Sequence, residues 1–268
     1  MGRGPVAEPV AWCGPAVQCR AVPRQRDPVR CPRKVHPTVQ TAQASVIVAI
    51  DGPSGTGKSS TSKAVAAKLG LHYLDTGAQY RAMTWWMLSS GIDVDDPAAV
   101  AAAAGRPEIV SGTDPAAPTI TADGADASGP IRTKEVTAAV SAVSAVPEVR
   151  ERITALQRTI AAEAVGGIIV EGRDIGTTVL PDADLKVFLT ASSEVRAARR
   201  SGELKGGEAT DLAATRAALL KRDSADSSRK TSPLKRADDA VEVDTTELTL
   251  EQVVECVVTL VEDRQQKR

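Results

Sequence analysis

The sequence predicts an α/β fold, a parallel sheet with helices on both faces, and three observations point to it. Short runs of branched apolar residues, VIVAI at 46–50 and IIV at 168–170, have the uninterrupted character of strands buried on both sides. Helical patterns separate these runs, which is the alternation that builds a parallel sheet. Aromatic residues are only 2% of the chain, so alanine and valine carry the burial within a hydrophobic content of 42%.

The 268 residues suffice for one large domain, or one domain with insertions. A net charge of −1 offers no electrostatic argument for a nucleic-acid or membrane partner. That balance hides an asymmetry. Residues 1–45 hold seven Arg/Lys against two Asp/Glu, seven of the sixteen prolines, and three of the four cysteines: Cys13, Cys19 and Cys31. They show no apolar period and read as a disordered or spurious extension, with the domain spanning 46–268. The segment lacks the apolar core of a secretory signal, and its cysteines do not form CxxC pairs. Cys256 lies in a periodic apolar helix and reads as an inert core thiol. No run of 18 apolar residues occurs, so no membrane span is expected, and the chain reads as cytoplasmic.

The first strand runs into DGPSGTGKSS, 51–60, where Gly52, Gly57, Lys58 and Ser59 occupy every fixed position of G-x-x-x-x-G-K-[ST]. An Ala/Lys/Leu helix follows, to about Leu69. In such a loop, here Gly52, Pro53, Ser54, Gly55, Thr56, Gly57, Lys58, Ser59 and Ser60, the backbone curls so that N–H groups converge on phosphate at a helix N-terminus. Lys58 is placed to bridge the β- and γ-phosphates of ATP, and the Ser59 hydroxyl to ligate Mg²⁺.

The chain has no Asn-Lys-x-Asp guanine reader. Its strand at 167–171 ends in Glu-Gly-Arg-Asp, where an arginine suits an anion better than a metal. HYLDTGAQYRAM, 72–83, reads as a strand, then Thr76 as N-cap of a helix with Tyr80, Met83 and Met87 on its core face. That puts Arg81 near the strand's carboxyl end, where open sheets bind ligands. Residues 209–230 read as a long helix with Leu212, Leu219 and Leu220 inward. Arg222, Asp226 and Arg229, spaced i, i+4, i+7, share one face, either as an exposed ion-pair ladder or as part of a phosphate cage. VRAARR at 195–200, with Arg199 and Arg200, leads into a glycine-rich flap hinged by Gly202, Gly206 and Gly207.

The only histidines are His36 and His72, and no positioned general base stands out. An alcohol acceptor needs a base; a phosphate acceptor, with a second pKa near 6, arrives already anionic. A nucleotide or other phosphate is therefore favoured. An alcohol kinase using Asp75 as base, and a nucleotide-binding protein without turnover, stay open.

DGPSGTGKSS, LDTGAQYRAM, SGPIRTKEV, EGRDIGTTVLPDADLKVFLTASSEVRAARR and KRDSADSSR, in this order and spacing, resemble the bacterial cytidylate kinases, P-loop nucleoside monophosphate kinases, over roughly 46–262. The resemblance implies a core of 46–95, 146–199 and 212–268, an acceptor-binding insert at 96–145 and a lid at 200–211. The insert should hold a helix at 97–104, short strands around Ile109 and Ile120, and a returning helix with Val136, Val140 and Val143 inward. By the same resemblance Ser141, Arg150 and Asp174 read cytosine. Arg81, Arg173 and Arg229 meet the acceptor phosphate, and Arg222 and Asp226 the ribose. With Lys58, the three phosphate-facing arginines form the implied catalytic set, and Thr76 keeps the hydroxyl of a common serine. The implied activity is ATP- and Mg²⁺-dependent phosphorylation of CMP and dCMP by a monomer, with no nucleic-acid or membrane partner. Three departures stand out: Glu171 adds a methylene to the family's usual aspartate, and Ser224 and Ala225 replace charged residues.

Overall fold

The computed structural model describes residues 19–20, 45–203 and 211–267. Expectations for the rest of 1–44 and for 204–210, including hinge residues Gly206 and Gly207, lie outside the described residues.

Cys19–Arg20 form a two-residue strand, β1. Strand β2 (Val46–Asp51) is almost wholly buried and turns through the glycine loop into α1 (Lys58–Leu69). After β3 (His72–Asp75), helix α2 (Thr76–Ser89) begins at once. Its N-cap is Asp75, whose carboxylate accepts the Ala78 N–H at 3.0 Å. This corrects the expectation for Thr76, which is the first helical residue; its hydroxyl donates instead to the Glu171 carbonyl at 2.6 Å. A carboxylate one residue earlier reaches the orphan amide, so the hydroxyl serves the neighbouring strand.

Next come α3 (Pro97–Ala103), the small antiparallel sheet β4 (Ile109–Ser111), β5 (Ile120–Ala122) and β6 (Ala125–Asp126), and α4 (Lys134–Val143). Their apolar faces close on α2. Met83, Met87, Val100, Ile109, Ile120, Val140 and Val143 form one cluster. The chain returns through α5 (Pro147–Glu163) to β7 (Gly167–Glu171), a π-helical turn (Ile175–Val179) and β8 (Leu185–Thr190). Helices α6 (Ser193–Glu203) and α7 (Leu212–Ser228), strand β9 (Val241–Asp244) and α8 (Leu250–Gln266) complete it.

The main sheet has the order β1-β9-β8-β2-β7-β3, parallel except for β1. On one face Val48 and Ile50 pack with Val65 of α1 and with Val253 and Val257 of α8. On the other, Ala49, Leu74, Ile168 and Val170 meet Ala161 of α5 and the π-helical turn. Helices thus cover both faces, and Cys256 is buried in the α8 side of this core.

Of the three leucines expected inward on α7, only Leu219 is buried. Leu212 and Leu220 are 55% and 45% exposed. The inward stripe is Thr215, Leu219 and Asp226. Leu220 lies about 100° around the helix from Leu219, and Leu212 sits in the first turn, before the stripe begins. Among the described residues no helix is long and apolar enough to cross a membrane.

Candidate active site

The parallel register sets Asp75 beside Glu171, and Glu171 beside Ile50, so the carboxyl ends of β3, β7 and β2 share one edge. The loops leaving that edge form the cleft expected of an open parallel sheet.

One wall is the glycine loop. Gly52 sits at φ 148°, and a Cβ there would lie 2.2 Å from the Leu189 carbonyl oxygen, so only glycine lets the loop cross β8. Gly57 precedes α1 without a side-chain cap, which leaves the helix's first N–H groups facing the cleft. Lys58 is buried and its ammonium donates to the Pro53 carbonyl at 2.6 Å; Thr56 donates to the same oxygen at 3.2 Å. Burial, and then the charge of Arg173, pull the Lys58 amine down to about 7. An anion would restore its charge.

The opposite wall is cationic. Arg81 donates to the Ile131 carbonyl at 3.0 Å and the Thr137 hydroxyl at 2.9 Å. Arg173 spans the cleft floor, bonding Ser54 Oγ at 2.7 Å and Asp226 Oδ2 at 3.2 Å. Arg229 pairs with Asp226 at 3.6 Å, yet its Nε and Nη2 are buried with no partner, as is the Nε of Arg222. Burial, then neighbouring guanidiniums, hold Arg81 and Arg222 down to about 10. So much uncompensated donor capacity marks a place built for a bound anion.

Deeper, Arg150 and Asp174 form a buried ion pair at 2.7 Å, with Arg150 also donating to the Ser144 carbonyl and stacking over Tyr80 at 5.2 Å. Ser141 and Thr76 line the same cleft. The structure thus brings together Ser54, Gly55, Gly57, Lys58, Ser59, Ser60, Thr76, Arg81, Ser141, Arg150, Arg173, Asp174, Arg200, Arg222, Asp226 and Arg229. Gly52, Pro53 and Thr56 shape the loop from behind. Arg199 does not line the cleft: it donates to the Thr245 carbonyl at 2.7 Å and hydroxyl at 2.9 Å, and reaches the Thr56 carbonyl at 3.5 Å. It braces the loop, while its neighbour Arg200, about 100° around α6, faces inward.

The sequence singles out Glu171 only as a departure, and Asp51, Arg196 and Asp223 not at all. Glu171 is buried at the cleft base and accepts a short hydrogen bond from the Tyr73 hydroxyl. Burial, then the charge of Asp75, push its carboxyl up to about 7. Asp51 accepts the N–H groups of Ile175 and Gly176 at 2.9 and 2.8 Å, with burial raising it to about 6. Arg196 and Asp223 grip Ser54. The signals were present: Asp51 adjoins the glycine loop, Arg196 lies in VRAARR, and Asp223 follows Arg222.

A glycine loop for a triphosphate, facing clustered guanidiniums across the carboxyl edge of a parallel sheet, defines a P-loop kinase. The family model for cytidylate kinase matches residues 48–263. The chain is 79% identical over 227 residues to the cytidylate kinase of Streptomyces griseus, covering 85% of this chain and 97% of that protein. It is 79% identical over 220 residues to that of Streptomyces coelicolor, covering 82% and 94%. The cytidylate kinase of Nocardia farcinica is 54% identical over 211 residues, covering 78% and 90%. The chain belongs to the cytidylate kinase family and is a phosphotransferase.

Proposed function

We propose that this enzyme transfers the γ-phosphoryl group of ATP directly to the phosphate of CMP and dCMP, releasing ADP with CDP or dCDP. The observation that carries the reading is the set of buried, unpartnered guanidinium nitrogens of Arg222 and Arg229 in the cleft that the glycine loop closes. An acceptor nucleotide satisfies them, its phosphate meeting Arg229, Arg81 and Arg173 and its ribose meeting Arg222. An oxygen of that phosphate attacks the γ-phosphorus in line as the bond to ADP breaks. The attacking oxygen is already anionic, so no proton acceptor is required. Lys58 and the arginines neutralise the charge of the two facing polyphosphates, and positioning supplies the rest.

Cytosine presents an exocyclic amine with O2 and N3 acceptors, which Asp174, Ser141 and Arg150 complement. Uracil would turn a carbonyl toward Asp174 and leave buried polar groups unpaired. Arg222 and Asp226 take the ribose. The buried Arg150–Asp174 pair favours this assignment, since it orients the carboxylate before substrate arrives.

The donor set also fits Mg²⁺. The Ser59 hydroxyl, with the Glu171 and Asp75 carboxylates lining the same cleft, offers hard oxygen ligands. Among the described residues no cluster of three His, Cys, Asp or Glu could hold a metal ion. When bound, Mg²⁺ would neutralise the β- and γ-phosphate oxygens. Asp75, the candidate base of an alcohol kinase, accepts the Ala78 N–H through Oδ1 as the cap of α2.

The same reading places the enzyme in the cytoplasm as a monomer; light scattering on the purified chain checks the latter. A coupled ADP-release assay with CMP, dCMP, UMP, AMP and GMP tests the function. CMP and dCMP should dominate, and equal rates with all five acceptors would refute the reading.

A further inference from the structure

Ser54, in the middle of the donor loop, is held at each of its polar atoms. Its N–H donates to Asp223 Oδ1 at 3.1 Å, its carbonyl accepts from Arg196 Nη1 at 3.0 Å, and its hydroxyl accepts from Arg173 at 2.7 Å. Arg196 and Asp223 also pair directly through a short contact, with side chains only 7% and 14% exposed. Gly55 permits this approach. A Cβ there would lie 3.1 Å from both the Cβ and the carbonyl oxygen of Arg196.

The helix positions make the arrangement consequential. Arg222, Asp226 and Arg229 turn toward the acceptor side of the cleft. Asp223, one residue on from Arg222 and so about 100° around α7, turns to the donor loop. One helix therefore touches both substrates' sites. We propose that Asp223 and Arg196 are positioning residues for phosphoryl transfer, an ion pair that clamps Ser54 and ties the donor loop to the acceptor helix α7. Movement of α7 when the acceptor arrives is then transmitted to the loop that holds the donor, so each nucleotide raises the affinity for the other. A pair that merely fastened α6 to α7 would have no need of both backbone groups of Ser54.

The inference rests on the donor and acceptor assignments above, and calorimetry separates the two. A non-hydrolysable ATP analogue with Mg²⁺ is titrated into the full chain, alone and with saturating CMP, and CMP is titrated alone. The wild type should bind the analogue more tightly with CMP present. Asp223→Asn keeps an acceptor for the Ser54 amide but discharges the pair. It should weaken the analogue about tenfold, leave CMP alone within about twofold, and bring the gain from CMP toward unity. Arg196→Lys keeps the charge but cannot span both partners, and should fall between. If Asp223→Asn fails to fold, Arg196→Lys carries the test. Variants that lose only thermal stability, or lose donor and acceptor affinity equally, overturn the clamp and leave an ordinary ion pair. A wild type that binds neither nucleotide overturns the functional reading, and the clamp with it.

Discussion

The donor loop and the acceptor wall handle the same charge by opposite means. The loop is local: residues 52–60 are consecutive, and positive φ at Gly52, Gly55 and Gly57 sets its curl. The wall is assembled. Arg81 comes from α2, Ser141 from α4, Arg150 from α5, Arg173 and Asp174 from the end of β7, Arg222 and Asp226 from α7, and Arg229 from the cap that follows it. The loop is a local device whose curl lies in its own residues, with Arg196, Asp223 and Arg199 bracing it from outside. An assembled one depends on buried pairs such as Arg150–Asp174, so function and stability should fail there together.

Arg173 joins the regions, touching Ser54 on one side and Asp226 on the other. Arg173→Ala should therefore give the largest effect, a loss of about 10³-fold in kcat/KM for ATP and CMP alike. A loss confined to one substrate would assign Arg173 to one region. Next in size is Arg150→Met, which leaves the Asp174 carboxylate buried without its partner. Stability in urea should fall by about 3 kcal/mol or more, and KM for CMP should rise while that for ATP holds. Unchanged stability with a raised KM would show that the wall can be dissected as cleanly as the loop.

That contrast also explains what was legible in the sequence. The glycine loop could be read outright, because its chemistry lies in adjacent residues. The strands at 46–50 and 167–171 and the helix pattern on both faces were legible for a similar reason: burial repeats locally. The i, i+4, i+7 spacing of Arg222, Asp226 and Arg229 showed a shared face but not what it faced; folding supplied the opposite wall. Arg196 and Asp223 stood beside motif arginines, but their role was not legible because it is a contact with Ser54, about 140 and 169 residues away in sequence. Arg199 and Arg200 looked equivalent, and only the position of α6 sends one behind the loop and the other into the cleft.

Asp51 stands where the local region meets the assembled one, at the end of β2 and beneath the π-helical turn. Burial raises its carboxyl from 3.8 to about 6, so between those values the folded protein binds more protons than the unfolded chain. Stability should fall as pH rises through that window, by on the order of 3 kcal/mol. Glu171, raised to about 7, acts in the same direction over a window reaching pH 7. Lys58, lowered to about 7, acts oppositely, returning stability as pH rises above 7. Chemical denaturation of unliganded Asp51→Asn between pH 4 and 6 should show a flatter profile than the wild type. A profile that keeps its slope would place the proton elsewhere.

The smallest effect belongs to Tyr73, whose phenol donates to Glu171 from beneath both regions. Burial and the nearby carboxylates push the phenol's pKa upward, so it remains a donor at every working pH. Tyr73→Phe preserves the ring in the core and removes one hydrogen bond, which should cost about 1 kcal/mol in urea denaturation. Because the Tyr73–Glu171 bond lies beneath loop and wall alike, KM for ATP and KM for CMP should each stay within about twofold, while kcat falls several-fold. A tenfold change in the ATP term alone would tie Glu171 to the donor loop. The same change in the CMP term would tie it to the wall, and either outcome would move the boundary between the two regions.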